Sequence, residues 1–210
     1  MLSAMAAATI LAFTAVSPAV AADADPPSGK IGVDIVTVNG SGCPAGTAAV
    51  AVAGDNSAFT VTYSNYLAKV GVDSSTTDFR KNCQLVLEVS VPQGFTYGVH
   101  QADYRGFASL QGGASGLQRA SYYHQGQSPT AQNSHSFAGP FSDNWQATDR
   151  TESAQIVYAP CGERRMFNIN TELRVYSGTS DPKTTTSFMT MDSSDGSVST
   201  RYHVAWKTCP

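Results

Sequence analysis

Apolar and polar residues alternate along much of this chain with a period of two. The run CQLVLEVSVP sets Leu85, Leu87, Val89 and Val91 on one side and Val86, Glu88 and Ser90 on the other. MFNINTELRVYS is cleaner still, with Phe167, Ile169, Thr171, Leu173 and Val175 opposite Asn168, Asn170, Glu172, Arg174 and Tyr176. Successive side chains of a strand point to opposite faces, so such segments predict strands with one face buried. KIGVDIVTVNG places Ile31, Val33, Ile35 and Thr37 together, and AAVAVAG and AFTVTYS flank the turn signal Gly54-Asp55-Asn56. In GFTYGVHQADYRGFASL, Phe95, Tyr97 and Val99 are in phase. The last run gives Tyr202, Val204 and Trp206 one face, with Trp206 expected in the core, and His203, Ala205, Lys207 and Cys209 the other. No window carries an apolar stripe at helical spacing over three turns. Residues 64–71 (SNYLAKVG) are the best place for a short helix or turn, and the polar residues 112–139 for long loops or an irregular edge.

Strands punctuated by Gly, Pro, Asn, Asp and Ser predict an all-β fold, an antiparallel, jelly-roll-like β-sandwich. Antiparallel pairing follows from the alternation, which leaves each sheet one wet face. The 210 residues suit one domain, expected over residues 31–210 behind a flexible lead-in at 23–30 (DADPPSGK). Residues 1–22 read as a secretory signal peptide, with an apolar stretch over 4–16, Pro18, and the small-residue cleavage pattern Ala19-Val20-Ala21. No Lys or Arg precedes Lys30, so the expected start codon lies further upstream. No other stretch has the length and apolarity to span a bilayer as a helix.

Export changes the reading of the cysteines. Cys43, Cys83, Cys161 and Cys209 are an even set, expected as two disulfides in an oxidising compartment. Four cysteines permit three connectivities, of which the sequential one, Cys43–Cys83 with Cys161–Cys209, is the expectation. The close pairs of a zinc site are absent. A net charge of −3 and a charged fraction of 14% give no basic field for nucleic acid.

Candidate chemistry is sparse. DSSDGS lacks the register of a calcium loop, and Asp195-Gly196 reads as a hairpin turn. His100, His124, His135 and His203 form no close ligand pair, and no cofactor motif is present. Asn39-Gly40-Ser41 matches a glycosylation sequon and otherwise reads as a turn before Cys43. Glu88 and Glu172 lie on the polar faces of two strands and are the pair a sandwich glycosidase would need. Tyr97, Tyr104, Tyr122, Tyr123 and Trp145 lie in an aromatic-rich middle third mixed with Gln, Asn and His, a composition that suits a ring-stacking surface.

Four blocks carry a further signal: GSGCPAGT, RKNCQLVLEVSVPQGFTYGV, DYRGFASL and MDSSDGSVSTRYHVAWKTC. Together they resemble the secreted bacterial and fungal family catalogued as domain of unknown function 4360. The resemblance spans nearly the whole mature chain and all four cysteines. It implies an exported, all-β, cysteine-containing domain and brings no catalytic residues with it. The expected function is therefore a non-enzymatic extracellular or cell-surface module binding glycan or protein. The alternatives are a polysaccharide hydrolase acting through Glu88 and Glu172, and a structural envelope protein.

Overall fold

The computed structural model describes residues 23–128, 132–191 and 199–210. The expected signal peptide and the turn at Asp195-Gly196 lie outside the described residues. Among the described residues thirteen strands run in chain order. They are β1 (Asp23–Ala24), β2 (Gly32–Asn39), β3 (Ala48–Val52), β4 (Ala58–Tyr63), β5 (Leu67–Gly71), β6 (Arg80–Ser90) and β7 (Phe95–Leu110). β8 (Ser115–His124), β9 (Asn133–Ala138), β10 (Phe141–Arg150), β11 (Phe167–Tyr176), β12 (Thr186–Thr190) and β13 (Thr200–Thr208) complete the set. A single 3-10 turn at Ser153–Gln155 is the sole helical element among the described residues.

The strands form two antiparallel sheets. One runs β3-β4-β13-β7-β12-β5, with β1 added to β13 and β10 to β7. The other runs β2-β6-β11-β8-β9. The inward faces meet in one core, and aromatic rings bridge it. Phe59 of β4 meets Phe167 of β11 edge-on at 6.5 Å, and Tyr122 of β8 meets Tyr202 of β13 at 5.9 Å. Tyr66, fully buried, shares a hydrogen bond with Thr171 of the opposite sheet at 3.1 Å. Disulfides join Cys43 to Cys83 and Cys161 to Cys209.

β6, β11 and β13 bury the faces their alternation predicts: Leu85, Leu87, Ile169, Leu173, Val175, Tyr202 and Trp206 are all core residues. Elsewhere the pattern slips by one. In β2 the pairing with β6 shifts between Ile35 and Thr37, leaving Val36 52% exposed. That bulge turns Thr37 outward, against expectation, and brings Val38 onto the core. In β7 the register with β13 jumps from Gln101 to Val99, so His100 is the extra residue. Tyr97 faces inward before it; Ala102, Tyr104, Ala108 and Leu110 face inward after it.

Three segments differ from the sequence reading. Residues 67–71, read as a short helix or turn, form β5 instead, because pairing with β12 buries Ala68. Residues 112–139 hold β8, an interior strand, and β9, an edge strand, rather than mainly loops. The lead-in is held rather than flexible: Ala24 pairs with Trp206, Pro27 is buried, and Asn56 donates from Nδ2 to the Pro27 and Gly29 carbonyls, both at 2.8 Å.

Candidate functional site

The outer face of the five-stranded sheet is where strand alternation places a continuous polar surface. Along β11, Asn168, Asn170, Glu172, Arg174 and Tyr176 point away from the core. Their neighbours across β6 are Val86, Gln84, Asn82 and Arg80, and across β8 they include Tyr123, Ser121, Arg119 and Leu117. Three strands thus each contribute an arginine, and all three converge on Glu172, which is 7% exposed. Arg174 donates from Nε to Glu172 Oε1 at 2.5 Å, Arg80 donates from Nε to Oε2, and Arg119 Nη1 stands 3.9 Å from Oε1. Burial works to raise the Glu172 pKa, but hydrogen bonds from Arg174 and Arg80 outweigh it and hold the carboxyl below its ordinary value.

One carboxylate cannot neutralise three guanidiniums, each with five N–H donors. The cluster carries two excess positive charges on a chain of net charge −3. It lines a depression of about 310 Å³ together with Asn82, Ser121, Gln132 and Asn170. One exposed ring adjoins it: Tyr176 is 40% exposed and accepts a hydrogen bond from Arg174 Nη1 at 3.5 Å.

The predicted aromatic surface is not built from the expected rings. Tyr97, Tyr104, Tyr122 and Trp145 are core side chains with at most 9% exposure, because each occupies an inward position of β7, β8 or β10. Trp145 spends its indole N–H on the Thr190 carbonyl at 3.1 Å. Tyr123 alone of the five lies on the outer face, half-buried beside Asn168. Tyr176 carries a weak signal in the sequence, since it shares the polar face of β11. Arg80 and Arg119 carry none, because their approach to Glu172 depends on which strands pair.

Glu88 and Glu172 sit on neighbouring strands but are not brought together. Glu172 pairs with Asn82, six positions from Glu88 along β6. That offset is about 20 Å at ~3.4 Å per residue, against roughly 5–9.5 Å between the carboxyls of glycosidases. Glu88 instead faces Arg164 at 3.6 Å. Glu172, held ionised by its arginines, is also a poor proton donor.

The histidines divide between surface and core. On the outer face of the larger sheet, His203 bonds Asp103 Oδ2 at 2.8 Å and lies 6.0 Å from the His100 ring. His135 bonds Asp149 Oδ1 at 2.6 Å, and the Tyr122 hydroxyl donates to Asp149 Oδ2 at 2.5 Å. Among the described residues no three His, Cys, Asp or Glu side chains form a metal-binding group. His124 is 1% exposed and packed against Tyr97 and Phe167, with ring centroids at 5.3 and 5.1 Å. Burial pushes its pKa down, opposed in part by the Val157 backbone, and burial followed by the charge of His203 does the same to His100.

These shifts fix the sign of a pH effect. A histidine whose folded pKa lies below its unfolded value of about 6.5 contributes fully above that value. Below it the unfolded chain takes up a proton that the folded chain refuses, so stability falls as pH falls. Asp103 and Glu172, held below ordinary carboxyl values, extend the loss below about pH 4. Urea midpoints should therefore drop between pH 7.5 and 5.5, and His124→Gln should flatten that part of the curve. A wild-type midpoint that is constant across this range would contradict a neutral, buried His124.

Comparison with known proteins places this architecture. An uncharacterized secreted protein of Arthroderma benhamiae is 34% identical over 184 residues, covering 88% of this chain and 74% of that protein. Two disulfides and a secreted relative agree on an extracellular protein. The family model described as Domain of unknown function (DUF4360) matches residues 29–209, a span that takes in β2 to β13 and both disulfides, and the chain belongs to that family.

Proposed function

We propose that this protein is an extracellular binding module for acidic glycans, which it holds on the outer face of the five-stranded sheet. The observation that carries the reading is the convergence of Arg80, Arg119 and Arg174 on a single buried carboxylate, with the exposed ring of Tyr176 beside it. Glu172 fixes the guanidiniums in place, and their remaining donors match the planar carboxylates of uronic acids. Asn82, Asn170, Ser121 and Gln132 offer partners for sugar hydroxyls, and Tyr176 offers a ring face for the sugar's C–H side. Arg119 is the cation held most loosely by Glu172, at 3.9 Å, and it donates to Ser134 Oγ at 3.2 Å. It is the arginine best placed to turn toward a ligand.

Affinity electrophoresis with polygalacturonate, neutral xylan and polyglutamate tests this. Polygalacturonate should retard the mature protein, and added salt should weaken the effect. Arg119→Ala and Tyr176→Ala should each lower the affinity about tenfold. Equal retardation by polyglutamate would point to an acidic protein partner and reject the glycan reading. No retardation by polygalacturonate would reject it as well.

A further inference from the structure

A second cavity shares no lining residue with the depression at the arginine cluster. At the start of the irregularity in β7, Val99 joins Phe167 of β11 and Val157 of the loop after β10 in walling a cavity of about 300 Å³. His124 lines this space. It is one of the most deeply buried polar side chains among the described residues, at 1% exposure; the Val157 backbone interacts with the ring, but no partner of normal hydrogen-bond geometry stands at either nitrogen. A buried imidazole with only this one loose polar contact is costly unless something fills the remaining position. Arg150 and Asn133 line the same cavity, and Arg150 makes no ion pair among the described residues.

We propose that this cavity binds a small aromatic carboxylate bearing a ring hydroxyl. The volume lies at the lower end for ligand sites, enough for a single substituted ring. Phe167, Val99 and Val157 supply the apolar walls such a ring needs. With the Val157 backbone at one nitrogen, the neutral imidazole of His124 leaves the other for a ligand hydroxyl, which can donate or accept. Arg150, exposed at the end of β10, supplies the cation for a carboxylate on the far side of the ring. The site needs both ends of the ligand: the hydroxyl to satisfy His124, the carboxylate to satisfy Arg150.

Calorimetric titration of the mature protein with 4-hydroxyphenylacetate, phenylacetate and tyramine separates the two requirements. The first should bind saturably, phenylacetate about tenfold more weakly for want of the hydroxyl, and tyramine, a cation, not measurably. Val157 is 37% exposed, so Val157→Trp should fill the cavity without disturbing the core, and should abolish binding while leaving the thermal midpoint unchanged. His124→Gln should reduce the preference for 4-hydroxyphenylacetate over phenylacetate. Absence of saturable binding by 4-hydroxyphenylacetate at millimolar concentration would overturn the proposal. So would equal affinity for all three compounds, or binding unaffected by Val157→Trp.

Discussion

Replacing Cys43 and Cys83 together by alanine should cost about 4 kcal/mol of stability in the chain-entropy model, and lower the melting temperature by about 10 °C. The two residues are 40 apart in sequence, and the bond removes the entropy of that open loop from the unfolded chain. Both half-cystines are also core residues, at 0% and 1% exposure, so the double variant loses packing as well as the cross-link. The bond fastens the loop after β2 to β6, and Gly40 shows how close the two run. Its φ is +143°, and a Cβ there would stand 2.1 Å from the Asn82 carbonyl oxygen. Cys161–Cys209 spans a comparable 48 residues, but Cys161 is exposed and Cys209 half-buried. Mild reductant should therefore open Cys161–Cys209 first and leave Cys43–Cys83 oxidised, a sequence that peptide mapping after alkylation reads directly. A double variant within about 1 kcal/mol of wild type in urea would show that the buried bond adds nothing to the folded state.

Asn56→Ala should be the most damaging single polar substitution, at about 2–4 kcal/mol. Asn56 is 6% exposed and sits in the left-handed region at φ 57°, which asparagine tolerates better than alanine. Its Nδ2 donates to the carbonyls of Pro27 and Gly29, its Oδ1 accepts from the Ile31 N–H at 3.4 Å, and its own carbonyl accepts from the Trp206 indole at 3.1 Å. One side chain therefore ties the segment before β2 to the β3–β4 turn, while its backbone holds β13. Asn56→Asp preserves the shape and the acceptor but removes both donors, and should free the same segment. Limited proteolysis is the check: cleavage within residues 24–30 should accelerate in both variants. Unchanged protection there would mean that the β1 pairing alone holds the segment.

The parts of the fold that could be read in advance are those where one face is aliphatic and the other polar. β6 and β11 meet that condition, and their inward residues follow from alternation alone. β8 does not: its inward positions are Gly116, Gln118, Ala120, Tyr122 and His124, which carry no hydropathic contrast with Leu117 and Tyr123 outside. Its position as a central strand comes from pairing with β11 on one side and β9 on the other, a long-range effect that no local window contains. β7 was legible for three alternating positions and then lost its phase at His100. The aromatic middle third misled for a related reason. The core takes many of its large side chains from tyrosine, so rings flanked by polar residues lie inside. The arginine face was half visible. Glu172, Arg174 and Tyr176 share one strand face, but Arg80 stands 92 residues from Glu172 and meets it only because β6 and β11 are neighbours.

The pairing of β1 with β13 sets Asp23 opposite Lys207. The start of β1 and the end of β13 are therefore separated by about one interstrand spacing, close to 5 Å. A host protein could accept the domain as a cassette in a surface loop with little stretching of its own scaffold, and a linker of a few residues could close the domain into a ring.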